Sequence, residues 1–405
     1  MIKITNPADC CGCFACAQVC PRQCISMQED EEGFRYPVIV GGQSRCINCG
    51  LCEKVCPLLH RPDPVQTIDV WAAKNLDERE RLESSSGGVF VELAKAVIAG
   101  GGVVFGAVFD ESWEVKMAAA ETMDGVRKMM GSKYVQARVD TAYIGAKRFL
   151  EQGRQVLFSG TPCQIAGLHS FLSREYDKLL TVDILCYGVP SPAVWMRYLK
   201  EASCKLSFSD IACIRFKDKR LGWKTPSFTI AHSRNTQDSF SHPHGQDPYM
   251  RGFSSGVYLR PSCYSCKSKS GVSHSDLTIA DFWGINHLMP SFDDDKGVSL
   301  VLVNSERGKA IFEKLPMEVR HSSLATAKRL NGGFCESRKV HPKRAQFYRR
   351  FNTGGESIER IVTSILRVPL HKRAVRKAKR LAKQLAKAIL PQSAYDHIKV
   401  VIGRK

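Results

Sequence analysis

Between Ile68 and Leu330 short apolar runs alternate with amphipathic stretches of helical period, the pattern of an α/β layered domain. The apolar runs predict strands at 103–109, 115–119, 155–159, 179–186, 211–216, 227–231, 277–281 and 298–303. The amphipathic stretches predict helices at 87–99, 141–151, 165–172, 192–201, 248–258 and 307–315. Alternation is clearest between Gly87 and Glu201; beyond that the pattern turns more antiparallel. Upstream, residues 33–40 read as a strand after a polar turn at 28–32. Downstream, residues 370–390 put Val375, Leu381, Leu385 and Ile389 on one face and Lys or Arg on the other, a basic amphipathic helix.

A chain of 405 residues suggests two or three domains and can bury a substantial core. With 43% hydrophobic and 24% charged residues, neither a disordered nor a membrane-embedded class is indicated. The charge-free apolar stretch at 96–109 is too short for a spanning helix, and the start MIKITNPADC carries no signal-type apolar run, so a cytoplasmic location is expected. The formal charge of +19 is concentrated rather than spread: residues 338–405 hold 19 Lys or Arg against Glu356, Glu359 and Asp396. The body is nearly neutral, so no nucleic-acid partner is expected. The tail helix fits either the anionic inner face of a membrane or a solvated or partner-docked position.

Seventeen cysteines, ten of them within the first 56 residues, change the picture most. Cys10, Cys13, Cys16 and Cys20 before Pro21 follow CxxCxxCxxxCP, and Cys46, Cys49, Cys52 and Cys56 before Pro57 repeat it. In this bacterial-ferredoxin run three thiolates take corners of one cubane and the fourth reaches the other cluster. Two [4Fe–4S] clusters are therefore expected, one on Cys10, Cys13, Cys16 and Cys56, the other on Cys46, Cys49, Cys52 and Cys20. Zinc is the rival reading of CxxC spacing, but it has no use for eight cysteines in this doubled form. Cys11 and Cys24 read as bystander thiols.

Farther along, Ser84-Ser85-Ser86-Gly87-Gly88 precedes a predicted helix, so amides and hydroxyls gather where a phosphate could sit. Gly131-Ser132-Lys133-Tyr134 is a second, weaker phosphate candidate. Cys163, after Gly160-Thr161-Pro162, follows one predicted strand and Cys186 ends another, at the sheet edge where α/β ligands bind. With the CxxC pair Cys263 and Cys266 they could complete a third four-cysteine site, for a cluster or for zinc. Asp281 reads as a strand-end cap or a polar contact, Trp283 as core or a stacking partner, and His242 with His244 as a polar loop or a metal pair.

The order of these motifs carries a resemblance. The cysteine runs, then Ser85-Ser86-Gly87-Gly88-Val89-Phe90, Gly131-Ser132-Lys133-Tyr134-Val135-Gln136, FSGTPCQIAGL at 158–168, VDILCYGVPSP at 182–192, DPYMRGFSSGVYLRPSCYSC at 247–266 and LTIADFWGI at 277–285, resemble the coenzyme F420 hydrogenase/dehydrogenase family of beta subunits over roughly residues 5–305. The resemblance implies an FAD, with FMN as the alternative, beside a third [4Fe–4S] cluster on Cys163, Cys186, Cys263 and Cys266. On it rest the expected flavin contacts Ser86, Gly87, Gly88, Lys133, Gly160, Thr161 and Asp281. Tyr187 stands where relatives often carry histidine after the cysteine.

The expected organisation is an α+β ferredoxin-like domain at 1–66, an α/β flavin and iron–sulfur domain at 67–335, and a basic helical tail at 336–405. The expected function is an iron–sulfur flavoprotein oxidoreductase, taking electrons from a redox partner protein or a small-molecule donor and acting on an organic substrate. The family's wide occurrence implies a role such as surface-polysaccharide biosynthesis. The alternative is a non-catalytic electron-transfer subunit serving a partner enzyme.

Overall fold

The structure is a computed structural model that describes residues 2–41, 45–203, 210–232 and 240–367. It divides into two units, 1–362 and 363–405. The expected helix at 370–390 lies outside the described residues.

The N-terminal segment winds the short helices α1 (Ala15–Val19) and α2 (Leu51–Lys54) around an antiparallel hairpin, β1 (Ile25–Glu29) and β2 (Arg35–Ile39). The turn expected at 28–32 begins two residues later, because Ile25 and Met27 face inward and Asp30 ties the bend, its Oδ1 accepting from Glu32 N at 3.1 Å and Phe34 N at 2.8 Å.

The large sheet is built from β3 (Asp69–Asn75), β4 (Val103–Phe109), β5 (Val115–Ala120), β6 (Val156–Gly160), β7 (Leu179–Ile184), β11 (Leu277–Asp281), β12 (Ser299–Val303) and β13 (Met317–His321), in the order β13-β3-β12-β11-β7-β6-β4-β5. Its centre, β4-β6-β7-β11, is parallel, and its flanks are antiparallel. A separate antiparallel sheet holds β8 (Ile211–Asp218), β9 (Ser227–His232) and β10 (Phe240–Pro243). Strands β6 and β7 read as continuous apolar runs because both faces are covered.

Helices α3 (Glu78–Glu83), α4 (Val89–Ala99), α5 (Met123–Met129), α6 (Ala142–Glu151), α7 (Pro162–Leu172), α8 (Pro192–Ala202) and α9 (Pro248–Ser255) fill the crossovers. They are followed by α10 (Ile285–Leu288), α11 (Glu306–Phe312), α12 (Leu324–Leu330), α13 (Arg344–Thr353) and α14 (Ile358–Ile365). One core lies between α4 and the sheet, with Val89, Leu93 and Val97 against Val104, Leu157 and Val301. A second, around Trp223, Phe282 and Leu300, covers the opposite face.

The ferredoxin-like segment is fastened to this body by polar groups. Arg344 on α13 grips the Glu32 carboxylate with both nitrogens, Nη1 at 2.7 Å and Nη2 at 2.5 Å, and its Nη2 also donates to Leu259 O at 3.0 Å. Gln18 Oε1 accepts from Tyr143 N at 3.0 Å, capping the first turn of α6. Cys13 packs on Gly167 of α7 so closely that a methyl there would lie 2.8 Å from Cys13 Cβ.

Candidate iron–sulfur and cofactor site

The eight ferredoxin-type cysteines separate into two groups. Cys20, Cys46, Cys49 and Cys52 line one small cavity with Ile47, Asn48 and Gly50. Cys49 is exposed there, between exposed Ile47 and Leu51. Cys16 lies among the others: burial pushes its thiol up to about 12, with Cys10, Cys56 and Cys52 adding like-charge repulsion. Burial also raises Cys56, with Cys10 contributing. Thiols crowded in this way give up their protons when a metal centre takes the charge.

The second thiol cluster forms at the carboxyl edge of the parallel strands. Thr161 precedes α7, its N–H donating to Gln164 Oε1 at 2.9 Å and its Oγ1 3.2 Å from Cys163 Sγ in the first turn. Cys186 follows β7 as the chain turns at Gly188, whose φ of +112° suits glycine. Cys263 and Cys266 lie on the short 3-10 turn Pro261–Ser265 and just after it. Two backbone N–H groups point at sulfur: Gly188 N donates to Cys186 Sγ at 3.3 Å and Val189 N to Cys263 Sγ at 3.4 Å. Burial pushes Cys186 up to about 12, followed by the charges of Cys163 and Cys266. Cys263 is raised by burial and then by Cys186, Cys163 and Cys266. Cys266 is raised by burial and then by Cys163. The four positions named from sequence therefore share one neighbourhood. Among the described residues no three His, Cys, Asp or Glu gather tightly enough for a single metal ion.

Cys11 joins the two regions. Its contact with Cys163 and its own burial hold the Cys163 thiol well above the ordinary range, and Cys11 also meets Cys13.

A cleft of about 580 Å³ opens beside Cys163 and Cys186, within the range of roughly 300–1,000 Å³ common for small-molecule sites. Of the seven residues expected to hold a flavin, Ser86, Gly88, Lys133, Gly160, Thr161 and Asp281 line it. Gly87 does not: it is buried against the sheet, where a Cβ would lie 2.2 Å from Ala73 O, and its N–H donates to Ser299 Oγ at 2.9 Å. The two Ser/Gly loops are tied together, Ser132 N donating to Ser85 Oγ at 2.6 Å and Ser85 Oγ to Ser132 Oγ at 2.9 Å. Helix α4 follows Gly88, which is left-handed and supplies no side-chain cap, and Gly88, Val89 and Phe90 line the cleft.

Lys133 reaches the cleft differently from the expected phosphate contact. Its Nζ donates to Lys128 O, Met129 O, Met130 O and Gly131 O at 3.0–3.1 Å, closing the end of α5. Burial lowers it to about 7. Asp281 accepts from Trp223 Nε1 at 2.8 Å and pairs with the buried ammonium of Lys217. Trp283 stacks on Trp223 at 5.1 Å, with Lys217 Nζ 5.1 Å from its ring. Tyr187 lies under the Arg338 guanidinium at 5.7 Å, and both line the cleft. His244 lines it too and bonds to Phe216 O, while His242 packs on the Phe240 ring, so the two histidines do not form one site.

Sequence reasoning did not single out Lys217, Gln136 or Arg260. Two of them had a local cue: Gln136 ends the motif at 131–136, and Arg260 stands three residues before Cys263.

Two regions of the chain match families of known proteins. Residues 153–323 match the family described as the C terminus of the coenzyme F420 hydrogenase/dehydrogenase beta subunit, and residues 9–58 match the 4Fe-4S dicluster domain. In Methanosarcina mazei, the F subunit of F(420)H(2) dehydrogenase is 22% identical over 76% of this chain and 83% of its own. An uncharacterized protein of Methanocaldococcus jannaschii is 19% identical over 75% and 86%. NADH-quinone oxidoreductase subunit I 2 of Geobacter metallireducens is 39% identical over 61 residues, 14% of this chain and 47% of its own. A chain of the F420-reducing [NiFe] hydrogenase complex from Methanosarcina barkeri superposes with a TM-score of 0.47 at 16% identity, covering 72% of this chain and 95% of that one. The chain thus carries a 4Fe-4S dicluster domain at 9–58 and, at 153–323, the C-terminal region of the coenzyme F420 hydrogenase/dehydrogenase beta subunit family.

Proposed function

We propose that this chain is an iron–sulfur flavoprotein oxidoreductase in which the dicluster domain feeds a third [4Fe–4S] site and an FAD cleft. The observation that carries the reading is the continuity of thiols. It runs from exposed Cys49, through the Cys10 group, across Cys11 to Cys163, and so to a cleft whose wall includes Cys163 and Cys186. Cubanes exchange single electrons, and a flavin collects them in pairs for two-electron chemistry.

The chain's own residues would divide the work. Cys10, Cys13, Cys16 and Cys56, then Cys46, Cys49, Cys52 and Cys20, hold the two outer cubanes, and Cys163, Cys186, Cys263 and Cys266 the third. The Ser85–Ser132 bridge and the α4 amides orient a phosphate group. The Lys217–Asp281 pair and Trp283 set the charge and shape of the cleft wall. Tyr187, on the cleft wall, supplies a hydroxyl for proton transfer. A redox protein would dock near Cys49, where Ile47 is exposed. The named relative acts on F(420)H(2), so a deazaflavin is the first organic substrate to test.

The test is to purify the full chain without oxygen, release its non-covalent cofactor by heat, and separate it. About one FAD per chain is the expected result. A preparation loaded with iron and sulfide but free of flavin would instead favour an electron-transfer subunit that serves a partner enzyme.

A further inference from the structure

Arg260 is 1% exposed, and its guanidinium lies in the seam between the dicluster segment and the α/β body. Nε donates to Cys10 O at 2.7 Å, Nη1 to Gln136 Oε1 at 3.0 Å, and Nη2 to Arg35 O at 3.0 Å and Cys10 Sγ at 3.5 Å. The Tyr36 ring covers it at 4.3 Å and the Phe34 ring at 5.5 Å. Of the hydrogen-bond partners, only the Cys10 sulfur can take a negative charge. Among the described residues no Asp or Glu forms an ion pair with Arg260, whereas the other deeply buried arginine, Arg81, has Asp294. Burying a guanidinium without a counter-charge is costly, and an arginine cannot shed its proton. The ligand sulfurs of a cluster bound at Cys10 would supply that negative charge, and the Arg260 carbonyl also accepts from Cys263 N at 2.9 Å.

We infer that Arg260 is a positioning residue that sets the reduction potential of the cluster ligated by Cys10. The inference rests on the assignment of Cys10 as a cluster ligand. A cubane held by four thiolates becomes one unit more negative when it takes an electron. A fixed positive charge against one ligand sulfur, in a site closed to water, stabilises that reduced form and raises the potential. The same fork ties the Cys10 loop to the body, so charge and position are delivered by one side chain. Electrons arriving from the outer cluster are thereby drawn inward to the side that faces Cys163.

The experiment is a redox titration of the full chain, purified anaerobically, with reduced-cluster signals followed by electron paramagnetic resonance and iron counted on the same sample. Arg260→Met removes the charge. Gln136→Glu keeps the guanidinium but sets a carboxylate against it, and decides the question if the first variant does not assemble. Arg260→Lys keeps the charge and loses the fork. Both neutralising changes are expected to shift the one-electron equilibrium of one cluster at least tenfold toward the oxidised form, about 60 mV more negative. Arg260→Lys is expected to stay within threefold of the parent. Signals that move less than threefold in Gln136→Glu, at full iron content, overturn the inference, as does a lysine variant shifted as far as the methionine one. Failure of the Cys10 assignment is distinguishable, because Cys10→Ala would then leave the iron content unchanged.

Discussion

Asp183, near the end of β7, keeps its carboxyl in the core, and burial pushes it up to about 6 against the pull of the Ser273, Thr278 and Ser275 hydroxyls. A carboxyl that ionises near 6 when folded and near 3.9 when unfolded binds more protons in the folded chain between those values. Stability therefore falls as pH climbs from about 4 to about 6 and is flat above that window. Asp183→Asn should remove this slope and leave the variant roughly 1–3 kcal/mol more stable than the parent above pH 6, as read from urea midpoints across pH. A parent that gains stability through the window would contradict the assignment. Gly188 makes a second test at this scale. At φ +112° an added methyl is strained and would lie 2.8 Å from Leu259 Cδ1 and 3.1 Å from Cys263 Cβ. Gly188→Ala should cost on the order of 1–3 kcal/mol and lower the iron content by one cluster, measured by melting and colorimetric iron. Melting and iron equal to the parent's would refute it. The cysteines were legible in the sequence because their spacing encodes ligation. Arg260 and Lys217 were not, because burial beside a thiol or a carboxylate arises from pairings hundreds or tens of residues apart in the chain.

Among the elements, the parallel strands and their helices were predicted within a few residues, since β6 and β7 are buried on both faces and α6 and α8 show one clear apolar stripe. Four strands escaped, β10 among them, because Phe240-Ser241-His242-Pro243 reads as a polar loop. In β3, Asp69-Val70-Trp71-Ala72-Ala73-Lys74-Asn75, alanines dilute the signal, yet the strand pairs with both β12 and β13. In β1 and in the edge strand β13 three of the five positions are polar, so neither stands out from a loop. The Ser/Gly loops gave a cue to the cleft, but the hydrogen bond joining them spans 47 residues and left no local trace. That bond carries a prediction. Ser85→Ala should loosen the two loops and weaken flavin binding about five- to tenfold, the effect of losing roughly 1 kcal/mol or slightly more. Fluorescence titration of the flavin-stripped protein measures it, and an unchanged dissociation constant would remove the loops from the phosphate site.

On the scale of the molecule, the dicluster segment and the sheet domain share one unit, and α13, in the stretch expected as tail, clamps that segment through Arg344 and Glu32. The basic surplus beyond Arg367, 11 Lys or Arg against Asp396, lies outside the described residues. Each basic residue near an anionic surface contributes on the order of 1 kcal/mol. A chain ending at Arg367 should keep its spectrum and lose sedimentation with anionic vesicles at low salt, which the full chain should show. Equal behaviour of the two chains would dismiss the membrane role.

The central claim, that the thiols form a continuous line of three clusters leading to the cleft, is tested most directly by counting iron in the anaerobically reconstituted full chain and in Cys263→Ala. About twelve iron per chain are expected for the parent and about eight for the variant, with the two outer-cluster resonance signals retained. About eight iron in both, with identical signals, would contradict it.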